Sequence, residues 1–314
     1  MTVLTTPTPT TPSPIIPSPI IPSRATASPT TPSPTTAATS TPTATTPAAT
    51  TRTAPNTAAF SPTRPDSTAS DSTGPAPVTL VCFHHAGGTA SVFREWRKHA
   101  GPELAVHAVQ LPGRESRMGE PRHTDLDTLV EALLPELAPV LAGPHVFFGH
   151  SMGALVAYRV AHRRLELGLR APEALAVASY VAPHLDPVRI AVDEVSDVDL
   201  ATHLCDIDGL RPELLRRPDW LGPLLAVVKD DLRVCASDRR REIVPLPIPL
   251  HAFGGTSDPL VTPAQLAAWR EHTTAGFHLV HLPGGGHFLV TQRGSEMRER
   301  VFDLALRRAR AHAA

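Results

Sequence analysis

Beyond residue 76 the apolar positions follow two rhythms. Short, nearly unbroken apolar runs fall at 78–83, 105–110, 145–149, 174–179, 248–253 and 277–282, bounded mostly by Pro or Gly. Runs that are apolar throughout, not alternating, suit strands covered on both faces. Between them the spacing is helical. Leu126, Leu129, Val130, Leu133, Leu137, Val140 and Leu141 recur at helix intervals after an Asp/Thr-rich start, with Pro135 and Pro139 set to kink that helix or end it early. Residues 152–166, 263–274 (with Pro263 near its first turn) and 293–312 continue the pattern. Strands alternating with helices predict an α/β class built on a mostly parallel sheet flanked by helices. One stretch breaks the alternation. Residues 185–245 hold many leucines and no convincing strand, too long for an ordinary crossover, and predict a helical lid inserted over one edge of the sheet.

Composition divides the chain of 314 residues in two. Residues 1–76 are almost wholly Thr, Pro, Ser and Ala, with Arg24, Arg52, Arg64, Asp66 and Asp71 as their charges. Such a tail buries too little apolar area to offset its ordering entropy and is expected to be disordered, partly polyproline II. It lacks the basic start and continuous apolar core of a signal peptide. Residues 77–314 form the expected folded domain. Net charge is −1, which gives no electrostatic case for nucleic acid or an anionic membrane, and no apolar run is long enough to span a bilayer. Cys82, Cys205 and Cys235 are odd in number and lack CxxC spacing, which disfavours a disulfide framework or a zinc site and suits a cytoplasmic setting.

The candidate chemistry starts at Gly149-His-Ser-Met-Gly153, a G-x-S-x-G between a predicted strand and a predicted helix. In that context it describes a nucleophile elbow: the serine occupies a strained turn, and the glycines relieve crowding around it. A serine nucleophile needs a base, and the base an orienting carboxylate. Asp258, in Phe253-Gly-Gly-Thr-Ser-Asp-Pro259, and His287, in Leu282-Pro-Gly-Gly-Gly-His-Phe288, follow in the order Ser, acid, His, each just beyond its own strand. Asp258 alone reads as a turn before Pro259, and His287 alone as one of 16 histidines. Order and placement together make Ser151, Asp258 and His287 the candidate triad. Oxyanion donors are expected from Met152 N–H at the elbow and Ala86 N–H in the loop after the first strand. His84 and His85 are not expected to bind metal, since no partner set has ligand spacing.

The motifs FHHAGGTASVFREW, VQLPGRESR, FFGHSMGALVAY, the AP of YVAPH, FGGTSDP and LPGGGHF, in that order, resemble the type II (editing) thioesterases of polyketide and nonribosomal peptide synthase clusters, over about residues 77–310. The resemblance implies an α/β-hydrolase fold with a helical lid. It implies hydrolysis of misloaded or stalled acyl groups from the phosphopantetheine of acyl or peptidyl carrier protein domains, with no cofactor of the enzyme's own. Matched residue by residue, it again designates Ser151, Asp258 and His287, with Ala86 and Met152 as oxyanion donors. Arg114 and Arg117, in LPGRE-x-R, are expected to be structural. The chain departs from the pattern at His84, where a proline is usual, at VASYV, where a serine-glycine ending is usual, and at the third glycine before His287, expected to loosen the base. A small-molecule esterase or chain-releasing thioesterase with the same triad, or a non-catalytic docking protein using lid and tail, are the competing readings.

Overall fold

The computed structural model describes residues 77–188 and 190–313; the segment 1–76, expected to be disordered, lies outside the described residues. Six strands form one all-parallel sheet: β1 (Val78–Phe83), β2 (Leu104–Ala108), β3 (His145–His150), β4 (Leu175–Ala178), β5 (Leu250–Gly255) and β6 (Phe277–Leu282), in the order β2-β1-β3-β4-β5-β6. Helices α1 (Arg94–His99), α2 (Leu126–Leu137), α3 (Met152–Glu166), α6 (Pro263–Ala267), α7 (Leu289–Gln292) and α8 (Gly294–Ala313) accompany it. Helix α2 ends two residues before Pro139, and its N-terminus is capped by the Asp125 carboxylate, which accepts from Thr128 N–H at 2.9 Å.

The unbroken apolar runs have a direct cause in the strand geometry. Successive side chains of β3 point to opposite faces, so Phe147 enters the core beneath α2 and α3, while Val146 and Phe148 enter the core beneath α1 and α8. Each phenylalanine is fully buried and contributes about 1.5–3 kcal/mol. A strand enclosed in this way has no face left for polar residues. Helix α1 has no sequence signature: its six residues bury only Trp96, too few positions to show a period.

After β1 the chain crosses to β2 at one edge and returns to β3 on the other side of β1. This reversal opens a crevice at the strand C-termini between β1 and β3, the usual ligand position in an open α/β sheet. Between β4 and β5 lie α4 (Asp197–Asp206), a 3₁₀ turn (Pro212–Arg216) and the long α5 (Pro218–Ser237). Leu200, Ala201, Leu210, Leu225 and Val228 give these elements a small core of their own. Helix α5 is not uniform along its length. Its first half packs in that small core, whereas Val234 joins the main core. Around the second half, Asp230 pairs with Arg122 at 2.6 Å, Asp231 with Arg114 at 2.7 Å, and Asp238, just past the helix end, with Arg159 at 2.8 Å.

Candidate active site

Ser151 sits between the end of β3 and the start of α3 with φ +53°, ψ −122°, a conformation that a residue with a Cβ adopts only under strain. The flanking glycines have a steric reason. A Cβ on Gly149 would run into the Gly153 carbonyl, and a Cβ on Gly153 into the Phe83 carbonyl of β1. The turn is therefore packed backbone to backbone, and Ser151 N–H donates to Ala178 O of β4 at 2.8 Å.

Three strand ends converge here. Ser151 Oγ lies 2.9 Å from His287 Nε2, and His287 Nδ1 lies 3.0 and 3.1 Å from the two carboxylate oxygens of Asp258. The Asp258 side chain is fully enclosed, and its Oδ1 also accepts from Leu260 N–H at 2.8 Å and Val261 N–H at 3.2 Å. An anion held by three donors fixes the ring proton on Nδ1 and leaves Nε2 to accept from Ser151. The structure thus brings the three residues singled out in the sequence into one hydrogen-bonded row.

The loop carrying His287 is tied down at several points. Gly284 N–H donates to Thr256 Oγ1, Gly286 N–H to Gln292 Oε1, and Gly285 O accepts from Ser257 N–H. Gly255 and Gly285 approach so closely that a Cβ on Gly255 would overlap the Gly285 carbonyl. A Cβ on Gly285 would in turn lie 2.6 Å from Leu289 Cδ2, so the glycines on both sides permit close packing of this loop on β5 and α7. His150, the residue before the serine, donates from Nε2 to the His287 carbonyl at 2.8 Å and so ties the base to the elbow. Burial pushes the His150 pKa down to about 3, which keeps it neutral.

Ala86 lies in the loop after β1, whose last residue pairs with Gly149 of β3. Register therefore places this loop beside the elbow. His85 O, in the same peptide as Ala86 N–H, accepts from Gly88 N–H at 2.9 Å and from His84 Nδ1–H at 2.8 Å. Burial, with Arg114 adding to it, holds the His84 pKa down at about 4. His84 thus anchors the loop by a hydrogen bond to the His85 carbonyl. His85 stacks edge-on against His150 and Phe288. Met152 N–H belongs to the first turn of α3, whose amides have no acceptor within the helix.

Ser151, His287 and Ala86 border a cavity of about 110 Å³, walled mainly by Val181, Ile190, Leu232, Ala236, Leu260 and Val261. Leu225, with Leu224 against it, packs inside the helical insertion's own core. The wall comes from the next turns of α5, at Leu232, Cys235 and Ala236. The helical phase of α5 could not be set from a segment with so many leucines. Arg114 is more than a loop residue: it is buried against Asp231 of α5. Arg117 is a partly exposed strut between Glu120 and Glu136. Among the described residues no set of three or more His, Cys, Asp or Glu could hold a metal ion, and no helix is long and apolar enough to cross a membrane.

Residues 78–304 match the family profile of the thioesterase domain. The linear gramicidin dehydrogenase LgrE of Brevibacillus parabrevis is 37% identical over 222 residues, 69% of this chain and 84% of that protein. Among solved structures, the RedJ thioesterase from the prodiginine biosynthetic pathway in Streptomyces coelicolor superposes with a TM-score of 0.68 at 37% identity, covering 74% of this chain and 91% of that one. The type II thioesterase BorB from the borrelidin biosynthetic cluster does so with a TM-score of 0.67 at 33% identity, covering 74% and 94%.

Proposed function

Because the chain belongs to the thioesterase family, we propose that it is a serine hydrolase of the editing type. On this proposal it removes acyl groups from the phosphopantetheine thiol of carrier proteins in polyketide or nonribosomal peptide assembly. The observation that carries the chemistry is the row Ser151–His287–Asp258 at hydrogen-bond distances, with Ser151 on its strained turn. Relatives such as BorB, a type II thioesterase of a biosynthetic cluster, support the class of substrate. Redox chemistry, the term in one relative's name, would make no use of a serine aimed at a histidine base.

In this mechanism Ser151 Oγ attacks the thioester carbonyl carbon while its proton passes to His287 Nε2. Asp258 accepts from Nδ1–H throughout and stabilises the imidazolium. Ala86 and Met152 N–H receive the negative charge that develops on the carbonyl oxygen. Collapse breaks the C–S bond, and His287 returns the proton to the departing pantetheine sulfur. A water molecule then gives a proton to the same nitrogen, attacks the acyl–serine, and releases the carboxylic acid with Ser151 restored. No cofactor takes part; the pantetheine arm belongs to the substrate.

The cavity sets the acyl size. At about 110 Å³ it is smaller than the ~150 Å³ apolar cavity that accommodates benzene, so it suits short acyl groups. Ala236→Phe is expected to lower butyryl hydrolysis at least about tenfold while changing acetyl hydrolysis less than about threefold, a split that follows from losing space for a few methylenes. Equal losses on both chains would place Ala236 outside the acyl chamber.

The class of substrate is tested by comparing kcat/KM of the intact chain on butyryl-carrier protein and on a p-nitrophenyl butyrate. The carrier thioester should be preferred. Preference for the aryl ester would indicate a small-molecule esterase. Failure of a fluorophosphonate to label Ser151 would indicate a docking protein without catalysis.

A further inference from the structure

On the serine chemistry proposed above, we infer that Asp231 of α5, neutralised by Arg114, is the positioning residue that sets the Ala86 N–H for the oxyanion. Ala86 stands between two peptide groups. The upstream peptide carries its N–H and has its carbonyl, on His85, held by Gly88 and His84. In a trans peptide the two groups point opposite ways, so holding the carbonyl aims the N–H. The downstream peptide ends in Gly87 N–H, which donates to Asp231 Oδ2 at 2.7 Å. Both peptides are thus gripped, and the second grip comes from a helix 144 residues away in sequence.

The seat on α5 is shaped for this loop. Gly87 has φ +75°, and a Cβ there would lie 2.5 Å from Val228 Cγ2. Val228 and Asp231 are one helical turn apart, so one presses on Gly87 while the other binds its N–H. Asp231 is 2% exposed and Arg114 5%. An unpaired carboxylate this close to the site would repel charge building on the substrate oxygen. Arg114 removes that penalty with a two-pronged pair, Nη1 to Oδ2 at 2.7 Å and Nη2 to Oδ1 at 2.8 Å, and Nη1 also donates to Gly88 O at 3.2 Å. The division of labour is plain: the carboxylate holds the amide, and the guanidinium cancels its charge and closes the turn.

Two double variants separate this role from mere structural support. Arg114→Met/Asp231→Asn removes both charges but keeps an amide oxygen for Gly87 N–H. Arg114→Met/Asp231→Leu removes both charges and the acceptor. Neither strands a buried ion. With butyryl-pantetheine as substrate, the Asn pair should keep kcat within about fivefold of the parent. The Leu pair should lose about 100-fold in kcat at a KM changed less than about twofold, the signature of an interaction made in the transition state. Equal kcat in the two pairs would overturn the inference. Should the Leu pair lose its cooperative melt, Asp231→Glu carries the test, since it keeps the charge and displaces the acceptor: kcat should fall about tenfold at constant KM, and an unchanged kcat overturns the inference. A parent whose hydrolysis survives Ser151→Ala would overturn the serine chemistry as well; a Ser151-dependent parent with indifferent double variants overturns only the role of Asp231.

Discussion

Ser151→Ala is expected to lower acyl-thioester hydrolysis on the order of 10⁶-fold, with Asp258→Asn and His287→Ala each costing several orders of magnitude. The losses should not add when combined, because in the proposed mechanism the three side chains act as one proton path, and they stand in one row: Ser151 Oγ to His287 Nε2 at 2.9 Å, and Nδ1 to Asp258 at 3.0 Å. What remains is the catalysis supplied by binding and by the oxyanion donors. Folding should be nearly unaffected by Ser151→Ala. The turn is built from the Gly149 and Gly153 backbones, and the Ser151 N–H bond to Ala178 O does not involve the side chain. Single-turnover hydrolysis beside a thermal melt checks both statements. Turnover near the parent's in Ser151→Ala would end the serine mechanism.

The second large effect is acid lability. Burial, the leading cause at every one of these sites, lowers the pKa to about 4 at His84, His145, His162, His251 and His272, and to about 3 at His150. In the unfolded chain each titrates near 6.5. As pH falls from about 6.5 towards 4, the unfolded state takes up protons that the native state refuses. Stability is then fully present above 6.5 and is lost progressively through that window. Each fully enclosed ring, such as His84 or His150, removes about 1.4 kcal/mol per pH unit. Two of them acting together are large beside a typical domain stability of roughly 5–15 kcal/mol. The melting temperature should therefore fall steeply between pH 6.5 and 5, and the double variant His145→Gln/His162→Gln should flatten the fall. A melting temperature constant down to pH 5 would show that these rings are protonated in the native state.

Sheet and row of side chains were legible in the sequence because each depends on local signals. Strands enclosed on both faces leave continuous apolar runs, and the boundaries of β1 and β6 coincide with those runs. Ser151, Asp258 and His287 are each marked by glycines that a close approach demands. What escaped detection depends on contacts remote in sequence. Asp231 is one carboxylate in a helix that also carries Asp219 and Asp230, and its pairing with Arg114 spans 117 residues. His150 looks like any other histidine until the His287 carbonyl, 137 residues on, is placed beside it. The wall of the cavity was missed for a different reason: with leucines on several faces of α5, period alone does not say which face meets the sheet.

The uneven anchoring of α5 also bears on how such enzymes can be recombined. The simplest points for exchanging helical insertions between relatives are the ends of β4 and β5, where the insertion begins and stops. A cut there would carry Asp230, Asp231 and Asp238 away from Arg122, Arg114 and Arg159, and replace them with whatever the donor supplies. The border between the two cores falls within one helix: Leu225, Val228 and Leu232 pack with the insertion, Lys229 and Arg233 pair with its Asp197 and Asp193, and Asp230, Asp231 and Val234 hold to the sheet body, so an exchange must keep this half of α5 matched to both sides.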